Sequence, residues 1–157
     1  MNHELQPTRS HDHPGAPGSG GGHHADIIDL TLTEPIEGLR RAETVLLTAL
    51  ESHAYPDAAR FALRLALEEA VVNGFKHGNK GVPTPRVDVG FRISDREVTI
   101  RICDHGPGFK PECVPDPTSP ENIERPGGRG VMLMKAFMTR VEYNESGNQI
   151  TMYYARP

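Results

Sequence analysis

The chain has 157 residues and a formal charge of −4, with 24% charged and 36% hydrophobic side chains. That length fits one domain with a real core, and an acidic balance without a basic block argues against nucleic acid as the main partner. No stretch approaches the roughly 20 apolar residues of a membrane span.

Residues 1–24 are rich in glycine, proline and histidine and almost free of apolar side chains, which predicts a disordered tail. Its histidines (His3, His11, His13, His23 and His24) lack regular ligand spacing, so a plain tail is favoured over a metal site. The N-terminus lacks a basic region followed by an apolar run. The expectation is therefore a cytoplasmic protein in which Cys103 and Cys113 are reduced thiols.

The ordered domain is expected over 25–157. Its first element is a strand over 26–32, "DIIDLTL", in which Ile28, Leu30 and Leu32 alternate with polar neighbours. A helix from about Glu34 to Ser52 carries Leu39, Ala42, Leu46, Ala49 and Leu50 on one stripe. Pro56 and Asp57 open a second helix, which runs through "ALRLALEEAVVNGFKH" and stops at Gly78. Two alternating runs, Arg86–Ile93 and Glu97–Cys103, flank the short polar turn Ser94-Asp95-Arg96 and predict a hairpin. The proline- and glycine-rich segment from Gly106 to Gly128 has the length of a functional loop. A short helix over Gly130–Phe137 and strands over Val141–Tyr143 and Gln149–Tyr154 complete the chain. This order predicts an α+β fold: a two-layer sandwich whose mixed, mainly antiparallel sheet is covered on one face by helices.

Three polar constellations interrupt the apolar patterning. On the second helix, Glu69 and Asn73 are four residues apart and share a face. They form either a solvated stripe or a pair in which Asn73 offers oxygen to a hard cation and Glu69 acts as a base. At the end of the hairpin, "ICDHGPGF" continues the alternation of Val98, Ile100 and Ile102, so Asp104 falls on the apolar face. Either Asp104 caps its own turn, or it accepts a hydrogen bond from a ligand such as the amino group of adenine. On the ligand reading, Gly106 and Gly108 would let a flat ring approach the backbone. Finally, "RPGGRGVMLMKAF" leads through Gly127, Gly128 and Gly130 into a helix. It is either a flexible entry or a phosphate cradle assisted by Arg125 and Arg129.

In this order the segments resemble the boxes of the GHKL ATPases: "EEAVVNGFKHGN" the N box, "DHGPGF" the G1 box and "GGRGVML" the G2 box. The loop between the last two sits where that family has its ATP lid. Within the superfamily the chain is most similar to the small anti-sigma-factor serine/threonine kinases of bacterial partner-switching systems. The resemblance implies ATP and Mg²⁺ as cofactors, with Asn73 holding the metal and Glu69 accepting a proton from a substrate hydroxyl. It implies that Asp104 receives the adenine amino group, with room from Gly106 and Gly108 and support from Thr151. Gly128, Arg129, Gly130 and Val131 would meet the phosphates, and Arg125 would correspond to a lid arginine. His77 would stand at the N-box end beside the cofactor, in either a helix-terminal structural role or a catalytic one. The implied partners are a STAS-type antagonist, phosphorylated on serine or threonine, and a sigma factor, with a possible homodimer and neither nucleic acid nor membrane. Two other functions stay open: a nucleotide-responsive binding module, and a detached histidine-kinase catalytic domain.

Overall fold

The computed structural model describes residues 24–108 and 128–157. Residues 1–23 of the predicted tail, Arg125, Cys113 and most of the predicted lid lie outside the described residues.

Among the described residues the elements follow the predicted order, with a π-helical turn added at the end of the second helix. Strand β1 (Asp26–Leu32) leads into helices α1 (Pro35–Ser52) and α2 (Asp57–Asn73), and α2 continues into a π-helical turn, Gly74–Gly78. Strands β2 (Val87–Ile93) and β3 (Glu97–Asp104) form the hairpin, and α3 (Gly128–Phe137), β4 (Arg140–Tyr143) and β5 (Gln149–Ala155) complete the chain. The five strands lie in the order β1-β2-β3-β5-β4. Every pairing is antiparallel. The expected sheet was mainly antiparallel, and among the described strands each neighbour reverses direction, because hairpins and helical returns bring each strand back alongside its partner.

Register converts the period-two pattern into rows across the sheet. Leu30, Val89, Ile102, Ile150 and Tyr143 form one row; Ile28, Phe91, Ile100, Met152 and Val141 form the next. These rows meet the buried stripes of the helices, Ala42, Leu46 and Leu50 from α1 and Leu63, Leu67 and Val71 from α2. Burying one such aliphatic side chain stabilises the fold by roughly 1.5–3 kcal/mol. The opposite sheet face carries polar side chains and is open among the described residues, with Asp29 and Arg101 paired across it at 3.1 Å.

The second helix ends at Gly78 as predicted but not as a plain α-helix. Its final turn is widened, and the Asn79 N–H closes it by donating to the Gly74 carbonyl at 2.9 Å, five residues back. Gly74 is buried, and a Cβ there would come 3.1 Å from Cγ2 of Val87. The end of this helix is thereby pressed onto the start of β2, beside the last residue of β3.

Candidate functional site where the second helix meets the end of the hairpin

Asp104 ends β3 opposite Val87, on the same side as the buried Val98, Ile100 and Ile102. The parity expectation is met: the carboxylate faces the helix layer. The Gly106 N–H donates to its Oδ1 at 2.9 Å. Burial pushes the Asp104 carboxyl above its ordinary range, and the Gly106 N–H and the neighbouring His105 only partly offset this. A half-buried carboxylate, acceptor-only when ionised, suits a ligand that donates.

The helix end supplies the wall. A Cβ on Gly78 would overlap the Asp104 carboxyl and lie 2.7 Å from Asp104 Cβ. A Cβ on Gly106 would lie 2.7 Å from the Gly78 carbonyl carbon, and one on Gly108 would lie 2.8 Å from the Ser146 carbonyl carbon. Gly108 also has a φ of +77°, where a side chain is strained. Both glycines of "DHGPGF" are therefore required by the chain's own packing. The clearance expected for a ring is taken up by backbone from the π turn and from the β4–β5 turn.

The segment around Asp104 is anchored on three sides. Its own N–H donates to the Asn148 carbonyl at 2.9 Å, and Asn148 is held in turn by Asn144. The His105 N–H donates to Oδ1 of Asn79 at 3.3 Å. On the open face, Nε2 of His105 meets Oδ2 of Asp88 at 2.7 Å, and the Thr31 hydroxyl donates to Oδ1 of Asp88 at 2.8 Å. Burial would raise Asp88, but the hydrogen bonds from Thr31 and His105 outweigh it and hold the carboxyl below its usual range. Asp104 thus points into the helix layer and His105 away from it, as strand alternation requires.

Asn73 is the last residue of α2 and runs directly into the π turn; Glu69 lies one turn back, and both are half-buried at the edge of the α2 core stripe. Glu68, by contrast, is exposed and lies within electrostatic reach of Glu43 on α1. The two adjacent glutamates therefore serve different surroundings. His77 is exposed within the π turn. Gly128, Arg129, Gly130 and Val131 form the first turn of α3, which packs against α2.

Thr151 is not brought to this cluster. It pairs with Arg101 and Glu142 on the open face, whereas its neighbours Ile150 and Met152 pair with Ile102 and Ile100 on the Asp104 face. The support expected from Thr151 is instead given to the Asp104 backbone by Asn148, three residues earlier. Sequence reasoning missed Asn79 and Asn148. The one signal available for Asn79 was its place just after a helix-ending glycine, a position where asparagine is favoured for its own backbone geometry as well.

Helices on one side of an antiparallel sheet, an inward aspartate at a strand end and a glycine-led helix after a long connection define a GHKL-type ATPase domain. Residues 33–154 match the family described as the histidine kinase-like ATPase domain, and the chain belongs to that family. It is 31% identical over 88 residues to the serine-protein kinase RsbW of Oceanobacillus iheyensis, covering 52% of this chain and 56% of that protein. Over 97 residues it is 29% identical to the serine/threonine-protein kinase BtrW of Bordetella bronchiseptica, covering 59% and 68% of the two chains. It is 31% identical to the anti-sigma F factor of Clostridium botulinum over 97 residues, covering 57% and 66%. The match therefore spans little more than half the length of the Oceanobacillus protein.

Proposed function

We propose that this protein is an ATP-dependent serine/threonine protein kinase that acts as an anti-sigma factor. It would phosphorylate a STAS-type antagonist and, in another state, sequester a sigma factor, with homodimerisation as a possible part of the assembly. The observation that carries the nucleotide reading is the Asp104 carboxylate, turned inward against Gly78 and held there by the Gly106 N–H. The names of the relatives, serine-protein kinase and anti-sigma F factor, support the protein substrate and the partner. The kinase domain is taken as residues 25–157, with 1–24 as a tail. No helix among the described residues is long and apolar enough to cross a membrane, which is compatible with a cytoplasmic partner switch.

The residues present suit Mg²⁺-ATP. Among the described residues no group of three or more histidine, cysteine, aspartate or glutamate side chains could hold a metal. Magnesium commonly takes few protein ligands and completes its shell with phosphates and water. One amide oxygen from Asn73 is then an adequate protein contribution. Bound Mg²⁺-ATP would supply the transferable phosphoryl group.

Each residue then has one task. Asp104 accepts from the adenine amino group, and Gly78, Gly106 and Gly108 keep it in place. The backbone N–H groups at Gly128, Arg129, Gly130 and Val131 face the phosphates at the start of a helix, where anions are favoured; Arg125 adds charge from the lid. Glu69 takes the proton of the incoming serine or threonine hydroxyl and orients it. His77 ends the N box beside the nucleotide, in either a helix-terminal structural role or a catalytic one.

Incubation of the purified chain with radiolabelled Mg²⁺-ATP and a candidate antagonist tests the proposal. Acid-stable label is expected on the antagonist. Glu69→Ala should lower transfer on the order of a hundredfold or more while nucleotide affinity is retained. Acid-labile label would mean histidine phosphorylation, and nucleotide binding without any transfer would mean a regulatory binding module.

A further inference from the structure

Asn79 is the one buried polar residue among those described, 4% exposed, and the phosphotransfer scheme leaves it unused. Its location follows from the end of α2. The widened turn closes with the Asn79 N–H on the Gly74 carbonyl at 2.9 Å, and the side chain is then engaged at both ends. Nδ2 donates to the Arg86 carbonyl at 2.9 Å, immediately before β2. Oδ1 accepts from the His105 N–H at 3.3 Å, immediately after β3.

One planar group therefore ties the helix end, the foot of β2 and the residue following Asp104. A carboxamide offers a donor and an acceptor in one planar group, which suits both contacts. An aspartate would set a second acceptor against the Arg86 carbonyl, and a leucine would leave both backbone groups unpaired in a buried place. The peptide fixed by Asn79 at 105 adjoins the Gly106 N–H that holds Oδ1 of Asp104. The same asparagine follows Gly78, whose missing side chain leaves room for the Asp104 carboxyl. Asn79 thus sets the position of the Asp104–Gly106 turn on the helix end from both sides of the contact.

We infer that Asn79 is a positioning residue for base recognition, acting through Asp104 and not by touching the nucleotide. The inference rests on the reading of Asp104 as the acceptor for the adenine amino group. It predicts an effect on base discrimination beyond any effect on stability.

Titration calorimetry with Mg²⁺-ATP and with purine riboside triphosphate, which lacks the exocyclic amino group, tests it on the full chain. The ratio of the two affinities reports the Asp104 contact alone. In the wild-type protein ATP should bind roughly tenfold or more tightly than the analogue, since a site built to hydrogen-bond an amino group rejects a ligand without one. Asp104→Asn should collapse that ratio, and Asn79→Ala should shrink it to about threefold or less. Adding Asn79→Ala to Asp104→Asn should change the ratio no further, the coupling expected of a residue that acts through another. If Asn79→Ala does not fold, Asn79→Ser carries the same measurement, with faster hydrogen exchange of the His105 amide as its structural check. A folded Asn79 variant that keeps the wild-type ratio overturns the inference while leaving the adenine reading intact. A wild-type ratio near one overturns the adenine reading, and the inference with it.

Discussion

Gly78 and Asp104 lie so close that a methyl group on Gly78 would overlap the carboxyl of Asp104 and sit 2.7 Å from its Cβ. The two residues are 26 positions apart in the chain, and their contact joins the π turn to the end of β3. Gly78→Ala must therefore displace either the helix end or the carboxylate. Overpacking of a tight site costs about 1–3 kcal/mol. The expected outcome is a lower melting temperature together with ATP affinity weakened at least about tenfold, because the acceptor is moved from its ligand. Parallel thermal unfolding and nucleotide titration check both halves.

Asp104 also predicts a conflict between stability and binding. Burial raises its carboxyl above the ordinary range, so the folded state disfavours the charged form. The sign follows from linkage: the contribution of this group is most favourable below its unfolded pKa and is lost as pH rises through the folded one. Asp104→Asn keeps an oxygen for the Gly106 N–H and removes the charge. The variant should be more stable than wild type at neutral pH, with the difference vanishing in acid. Its ATP binding should nevertheless fall sharply, because half of the carboxamide presents a donor to the adenine amino group. Denaturant unfolding across acid to neutral pH, set against nucleotide titration, separates the two effects.

At the far end of the sheet His53 makes the opposite kind of ionic contact. Its ring meets Asp95 at 2.6 Å through Nδ1 and Asp26 at 3.2 Å through Nε2, with only 11% of the side chain exposed. The Asp95 hydrogen bond is the largest cause raising its pKa; burial opposes it, and Asp26 reinforces it. For a base raised in this way, stabilisation is complete below the unfolded pKa and disappears as pH climbs through the folded value. His53→Gln should therefore destabilise the protein at mildly acidic pH more than at alkaline pH. Thermal unfolding on both sides of the histidine range checks it, with a pH-independent difference counting against the ionic role.

Much of this was legible in sequence because it depends on local periodicity. Val98, Ile100 and Ile102 alternate, so Asp104 had to point inward; on the predicted stripes Leu32, Ala42, Leu46, Ala49 and Leu50 are buried, and Ile28, Leu30 and Leu39 pack half-buried against the core. What escaped was contact between distant segments. The widened turn at Gly74–Gly78 depends on how the helix end meets Val87, and the bridges of Asn79 and Asn148 cross 26 and 44 residues of chain. No periodic pattern encodes such pairings. The glycines of "DHGPGF" were visible, but their partners Gly78 and Ser146 were not, so clearance for a ligand was inferred where clearance for backbone is found.

Thr151 shows the two sources of inference in conflict. Resemblance assigned it to the adenine site, yet the alternation of Ile150 and Met152 already set it on the other side of the strand, and register confirms that placement beside Arg101 and Glu142. A side chain cannot reach through a sheet, because successive residues of a strand project to opposite faces. Thr151→Val keeps the shape and the β-branching while removing the hydroxyl. Nucleotide affinity should stay within about twofold of wild type and stability should change by less than about 0.5 kcal/mol, as for a surface exchange away from special features. Asn148→Ala should behave differently: it removes the side chain that donates to the Asp104 carbonyl at 3.4 Å and pairs with Asn144 at 2.7 Å. A greater loss of ATP affinity from Asn148→Ala than from Thr151→Val, measured in the same titration, is the ordering this geometry demands. The reverse ordering would place the nucleotide on the open face and remove Asp104 from its site.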